Sequence, residues 1–167
     1  GGSMNSAFNN TRKFLIKTGF LSNNSFPKPL GRLSAEIPND HSLLVSKMIA
    51  SGELDRLPAK DLAVLLSMTV QENNRAATMG EMRKEHGRQA RFGKTDAVHQ
   101  AALKMSSMLD GLKSAARAGI EIDDELYPAR MGFVDALCQA DEAEKIEMIQ
   151  SEEFPGGALN VVQRTGN

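Results

Sequence analysis

The chain has 167 residues and a formal net charge of −1, which suits one compact domain or two small subdomains. It has no tryptophan, one tyrosine and nine methionines, and this composition favours an all-α fold because strands favour aromatic and β-branched residues. The near-neutral charge excludes a uniformly basic, polyanion-binding body, so a nucleic-acid contact would have to come from a local group of cations.

Cysteine usage and the absence of long apolar runs bear on the compartment. The single cysteine, Cys138, excludes an internal disulfide and favours a reducing compartment. No apolar run reaches the roughly 18 residues of a membrane span, and nothing after Met4 has the form of a signal peptide. We therefore expect an intracellular protein. Residues 1–3, which precede Met4, are interpreted as a cloning remnant outside the fold.

The first predicted elements end at a proline. Apolar spacing predicts a helix over residues 7–18 with Gly19 as its stop, followed by a turn-rich segment. One or two helical turns then extend from Leu30 to Ile37 and are closed by Pro38. A helix followed by such a short turn is typical of a winged-helix domain, so we assign residues 4–38 to the end of a winged-helix-like region.

Two short amphipathic helices are predicted next. The first carries Leu43, Leu44 and Met48, is capped by Asn39 or Asp40, and ends at Gly52. The second follows Pro58 and carries its apolar residues up to Thr69. A connection of about six residues predicts that the two helices pack as neighbours.

The segment over residues 71–95 is polar and punctuated by glycines, and we predict an exposed, partly ordered loop between two helical halves. Five cations could contact phosphates there: Arg83, Lys84, Arg88, Arg91 and Lys94. A solvated linker is an equally good interpretation, because the cations stand among Glu81, Glu85 and His86. The segment holds one aromatic residue, Phe92, which gives little support to a base-stacking platform.

The second half of the chain is predicted to be helical throughout. Asp96 opens the longest apolar stripe, which Gly119 stops. A helix over residues 131–140 places Cys138 on an apolar face as a small core residue, and a short helix over residues 141–150 has Ile146 and Ile149 inside. A last helix begins after the glycines at 156–157. We therefore predict an all-α helical bundle over residues 39–167.

No catalytic or cofactor site is indicated by the residue pattern. The common glycine-rich phosphate motifs are absent, and His41, His86 and His99 lack the spacing of zinc ligands. The acidic pair Asp123 and Asp124 fits a helix start, where exposed N–H groups favour negative charge. We expect no cofactor in this segment, no metal site and a non-catalytic module.

One stretch, residues 12–73, carries a resemblance to a known family. It resembles the junction between the winged-helix region and the C-terminal helical domain of superkiller-like DExH RNA helicases, which include exosome-cofactor helicases. The matching positions are Gly19, Phe20, Gly31, Arg32, Ala35, Glu36, Ile37, Leu43, Leu44, Ile49, Gly52, Leu54, Leu57, Leu62, Ala63, Leu65, Leu66 and Ser67. Ile122, Asp123 and Tyr127 match a later turn of the family, and the glycines at 156–157 match the turn that opens its ratchet helix.

The resemblance implies an accessory domain of an ATP-dependent RNA helicase whose motor domains lie elsewhere in the parent chain. It implies contact with single-stranded RNA through the ratchet-type helix, here by Asn160, Gln163 and Arg164. The implied partners are the RNA, the ATP-binding domains of the parent and an RNA-processing or RNA-decay complex, without a membrane.

Two alternatives to this interpretation remain. The equivalent bundle of a DEAH-type helicase fits Arg32, Ala35 and Pro38 as well. A stand-alone helical adaptor would bind another protein through an exposed face from Met105 to Leu112.

Overall fold

The computed structural model describes residues 2–37, 40–71, 76–116 and 120–151. Over these ranges the chain is all-helical, as predicted, with no named strand and one isolated bridge between Leu21 and Pro27. The helices are α1 (Gly2–Lys17), α2 (Pro29–Ala35), α3 (Ser42–Ala50), α4 (Ala59–Leu66), α5 (Met79–His86), α6 (Asp96–Ala115), α7 (Met131–Gln139) and α8 (Glu142–Ser151). No described helix has the length and apolarity needed to cross a membrane.

Helix α6 forms the centre of the fold. Thr95 caps it by accepting the Val98 N–H at 3.2 Å, and its predicted apolar stripe is buried at Val98, Ala101, Ala102, Met105, Leu109 and Leu112. Helices α3 and α4 pack against this stripe, and α4 also packs against α7. Phe14 of α1 and Phe20 contribute to the same hydrophobic core.

The connection from α1 to α2 depends on Gly31. A Cβ at this position would overlap the carbonyl oxygen of Phe20 and lie 3.2 Å from its carbonyl carbon. The same carbonyl oxygen accepts the Lys28 N–H at 3.1 Å. Only glycine therefore lets α2 approach the backbone at Phe20 so closely. The assignment of residues 4–38 to a winged-helix region stays a prediction.

The structure corrects the expectation for residues 71–95. Its described residues, 71 and 76–95, are mostly exposed, but they include helix α5, and Met79, Ala90 and Phe92 enter the core. The prediction of a loop is therefore wrong over residues 79–86. The residue preceding α3 is His41 rather than Asn39 or Asp40, and its side chain makes no capping bond; Asn39 lies outside the described residues.

Three predictions about apolar faces are also corrected. Cys138 is exposed rather than a core residue, and Ile146 is 57 % exposed rather than inside. Met105, Leu109 and Leu112 are buried, so the exposed face proposed for a protein adaptor does not exist at these residues. Which faces become covered depends on the packing of distant elements.

Candidate nucleic-acid interface

Helix α5 is fixed at both ends by local chemistry. The Thr78 hydroxyl accepts the Glu81 N–H, and the Glu81 carboxylate accepts the Thr78 N–H, both at 3.1 Å. The Met79 N–H donates to the Leu126 carbonyl at 2.8 Å, which ties the start of α5 to the segment before α7. At the other end Gly87 adopts a φ of 58°, a left-handed conformation that ends the helix.

Phe92 and His99 form the buried floor beside α5. Their rings stack with centroids 5.9 Å apart, and the Phe92 N–H donates to His99 Nδ1 at 3.2 Å. The accepting nitrogen must carry no proton, so this hydrogen bond requires the neutral ring. Burial, followed by the nearby Arg91 charge, lowers the pKa of His99 below its ordinary value. Because Phe92 is only 1 % exposed, its ring is unavailable for stacking on a base.

Three of the five predicted cations line one cleft. Arg83 and Lys84 of α5 and Arg88 after it border a space of about 720 Å³ between α5 and α6. Helix α6 supplies Ser106 and Asp110 to the opposite side. Arg83 Nη1 lies 3.4 Å from Ser106 Oγ. We refer to Arg83, Lys84 and Arg88 as the cationic cleft; it could hold phosphates of a flexible strand.

The other two cations lie in a different, smaller groove. Arg91 and Lys94 line a space of about 230 Å³ together with the buried Asp135. Arg91 Nη2 donates to Asp96 Oδ1 at 2.7 Å. This hydrogen bond, followed by the guanidinium charge, lowers the pKa of the Asp96 carboxyl. The Asp96 carboxylate partly neutralises Arg91. Because Arg91 and Lys94 also line a different groove, the five cations do not form one continuous surface.

The remaining predicted site residues, Asn160, Gln163 and Arg164, lie outside the described residues. Their role in binding therefore stays a prediction.

A third cavity is acidic and would repel a polyanion. It measures about 520 Å³ and is lined by Asp40, Glu121 and Asp123 beside His41. His41 Nε2 donates to the Glu125 carbonyl at 2.6 Å and lies 3.2 Å from Asp123 Oδ2. These contacts join the start of α3 to the segment before α7. Asp123 of the acidic pair thus contributes to a tertiary contact rather than to the predicted helix start. Within the described ranges no cluster of three metal-ligating side chains occurs.

The sequence reasoning missed the α6 side of the cationic cleft. His99, Leu103, Ser106 and Asp110 are spaced by four, three and four residues, so they follow one face of the helix next to the apolar stripe. That spacing was available in the sequence. The sequence did not show that α5 would form and lie alongside α6.

Comparison with known proteins identifies the family. No curated protein matches the chain. The model of the DSHCT (NUC185) domain matches residues 24–162, which is most of the chain and includes α2 to α8. This domain is found in the C-terminal region of DExH-type helicases. The chain therefore belongs to the DSHCT domain family.

Proposed function

We propose that this chain is the non-catalytic accessory domain of an ATP-dependent, superkiller-like DExH RNA helicase and guides single-stranded RNA past the motor domains. The family match over residues 24–162 carries the proposal, because it assigns the chain to a domain associated with helicases. The motor domains of the parent supply ATP hydrolysis, and the helical bundle supplies a surface along which the strand moves. RNA processing or decay is the corresponding cellular role.

The cationic cleft supports this function through its shape and charge. Arg83, Lys84 and Arg88 are exposed on one wall, and Ser106 adds a hydroxyl on the other. Asp110 in the same cleft disfavours tight, static binding of phosphates. A weak contact suits a guide, because a translocating strand must be released at each step. Asn160, Gln163 and Arg164 are the proposed contacts of the ratchet-type helix.

The test is the fluorescence anisotropy of a labelled oligouridine titrated with the chain at about 50 and about 200 mM salt. Neutralising Arg83, Lys84 and Arg88 to glutamine should weaken binding and lower the salt slope by up to about 2, since each single-strand phosphate contact contributes about 0.7. Arg164→Ala should also weaken binding when the cationic cleft is left intact. The control neutralises Arg91 and Lys94, which lie in the other groove, and should lose less affinity per charge removed.

Two results would overturn the proposal. The first is an absence of oligouridine binding at low salt by a chain whose circular dichroism shows it to be folded. The second is ATP hydrolysis by the chain alone, because a domain with its own active site would not be an accessory module.

A further inference from the structure

The charge of the chain is strongly segregated along the sequence. Residues 1–35 contain five cations and no aspartate or glutamate, and the first carboxylate is Glu36. The first 35 residues therefore carry a formal charge of +5 and the remainder a charge of −6, although the sum is only −1. The cations are Arg12, Lys13, Lys17, Lys28 and Arg32, and we name them the N-terminal basic face.

The fold brings these cations into one structural unit. Phe14 buries one side of α1, and Lys13 and Lys17 remain exposed. The segment between α1 and α2 folds back through the Leu21–Pro27 bridge and presents Lys28 just before α2. Arg32 is exposed on α2, whose approach to Phe20 is set by Gly31.

Arg12 ties the two parts of this unit together through neutral groups. Its Nε donates to Ser25 Oγ at 2.5 Å, and its Nη2 donates to the Asn23 carbonyl at 3.1 Å. Neither partner carries a charge, so neither offsets the positive charge of the guanidinium. Among the residues that the structure describes, none of the five cations forms an ion pair. By contrast, Arg91 of the smaller groove is paired with Asp96.

Two aromatic rings are exposed on the same unit. Phe8 is 70 % exposed and Phe26 is 71 % exposed, the largest values among the exposed large hydrophobic residues of the described chain. Phe8 lies one turn before Arg12 on α1, and Phe26 follows Ser25, so both rings lie next to residues that the Arg12 contact joins. Exposed rings among uncompensated cations are the combination that binds unpaired bases and their phosphates.

We propose that the N-terminal basic face, with Phe8 and Phe26, is a second binding surface for single-stranded RNA. The cations contact backbone phosphates and the two rings stack on unpaired bases. Phe8, Arg12, Lys13 and Lys17 precede residue 24, so they lie outside the part of the chain that the family model matches. The inference rests on the proposed function for the identity of the polymer, but its evidence is the charge and exposure of other residues.

An acidic lipid surface is the competing ligand, and the packing of α1 argues against it. A helix that inserts into a bilayer surface needs a free apolar face. On α1 that face is already used, because Phe14 is 2 % exposed and belongs to the protein core.

The test compares two triple variants of equal charge. Lys13, Lys17 and Lys28 are changed to glutamine in one; Lys104, Lys113 and Lys145 are changed to glutamine in the other, at sites within the acidic remainder of the chain. Oligouridine binding is measured by anisotropy at about 50 and about 200 mM salt. The first variant should bind at least about tenfold more weakly at low salt and with a smaller salt slope. The second should change affinity about threefold or less.

Single aromatic variants separate stacking from charge. Phe8→Ala and Phe26→Ala should each weaken binding about fivefold or more with the salt slope unchanged, since stacking does not release counterions. Their unfolding midpoints should match that of the unmodified chain, because both rings are exposed. Preference for oligouridine over a duplex of the same length is also expected.

The outcomes distinguish this inference from the proposed function. Equal losses in the two lysine variants would overturn the inference, and so would binding to phosphatidylserine vesicles without binding to oligouridine. If the cationic-cleft variant loses affinity while the Lys13, Lys17 and Lys28 variant does not, the proposed function stands and this inference fails. If the chain does not bind oligouridine at all, both fail.

Discussion

Gly31→Ala is expected to destabilise the chain, although alanine is the better helix former. In an exposed helix interior the change would stabilise by about 1 kcal/mol, because glycine loses more backbone freedom on folding. At Gly31, however, the new Cβ would overlap the Phe20 carbonyl oxygen, which belongs to the backbone and cannot rotate away. Helix α2 would have to move by on the order of 1 Å to restore normal contact distances.

The magnitude follows from two opposing terms. Overpacking of this kind costs about 1–3 kcal/mol, and the gain in helix propensity offsets about 1 kcal/mol of it. We therefore expect the free energy of unfolding to fall by up to about 2 kcal/mol. The displacement of α2 should also weaken the hydrogen bond from the Lys28 N–H to the Phe20 carbonyl, which is 3.1 Å in the native fold.

Gly111 provides the matched control. It lies inside α6, and a Cβ there would meet nothing within 4 Å. Gly111→Ala should therefore raise the free energy of unfolding by about 0.5–1 kcal/mol. Both variants are measured by urea unfolding followed by circular dichroism. If Gly31→Ala stabilises the chain as much as Gly111→Ala does, the close approach of α2 to Phe20 is refuted.

Two further variants test the buried His99 beside the cationic cleft and the N-terminal cap of α5 at Thr78. The pKa of His99 is lowered in the folded chain, so stability is fully present above pH 6.5, the ordinary value, and declines as the pH falls below it because the unfolded chain takes up the proton first. In His99→Gln the urea midpoint should change less with pH between about pH 7 and 5 than it does in the wild type. The exposed His86→Gln should keep the wild-type dependence on pH. The same dependence in both variants would contradict this account. Thr78→Ala removes half of the capping box and should lower the free energy of unfolding by about 1 kcal/mol, while Thr78→Ser should retain most of it. An unchanged midpoint in the alanine variant would mean that tertiary contacts alone hold α5.

The central helix was predictable because one sequence pattern dominates it. Its apolar residues recur at helical spacing over 20 residues, and Thr95 precedes them as a cap. Helix α5 was missed because it has no such stripe, and of its eight residues only Met79 is buried. Its signature was nevertheless present as the capping box from Thr78 to Glu81, which marks a helix start without any apolar period.

The faces of α7 and α8 show a different limit. The spacing predicted burial of their apolar residues, yet Cys138 and Ile146 are exposed. A helical period in the sequence indicates which residues share a face. It does not state whether another element covers that face, since this depends on contacts between residues far apart in sequence. Burial was therefore predicted best for α6, whose apolar stripe is covered by α3 and α4.

The candidate site was predicted only in part, because proximity in sequence is not proximity in space. Arg83, Lys84 and Arg88 do share a cleft. After Gly87 the chain leaves the helix and Phe92 enters the core, so Arg91 and Lys94 line another groove. The N-terminal basic face was missed for a simpler reason. The charge was counted over the whole chain, where +5 and −6 nearly cancel.

If the chain binds RNA as proposed, this segregation of charge is how a chain of net charge −1 would orient a polyanion. At physiological ionic strength exposed charges are screened beyond about 8 Å, so a strand responds to the cations it lies against and not to the net charge. Near the N-terminal basic face it meets cations without ion-pair partners among the described residues. Near His41 the cavity lined by Asp40, Glu121 and Asp123 would repel it. Under the proposal, the strand would favour the N-terminal basic face over the cavity at His41, whereas a uniformly basic domain of the same size would not favour one site over another.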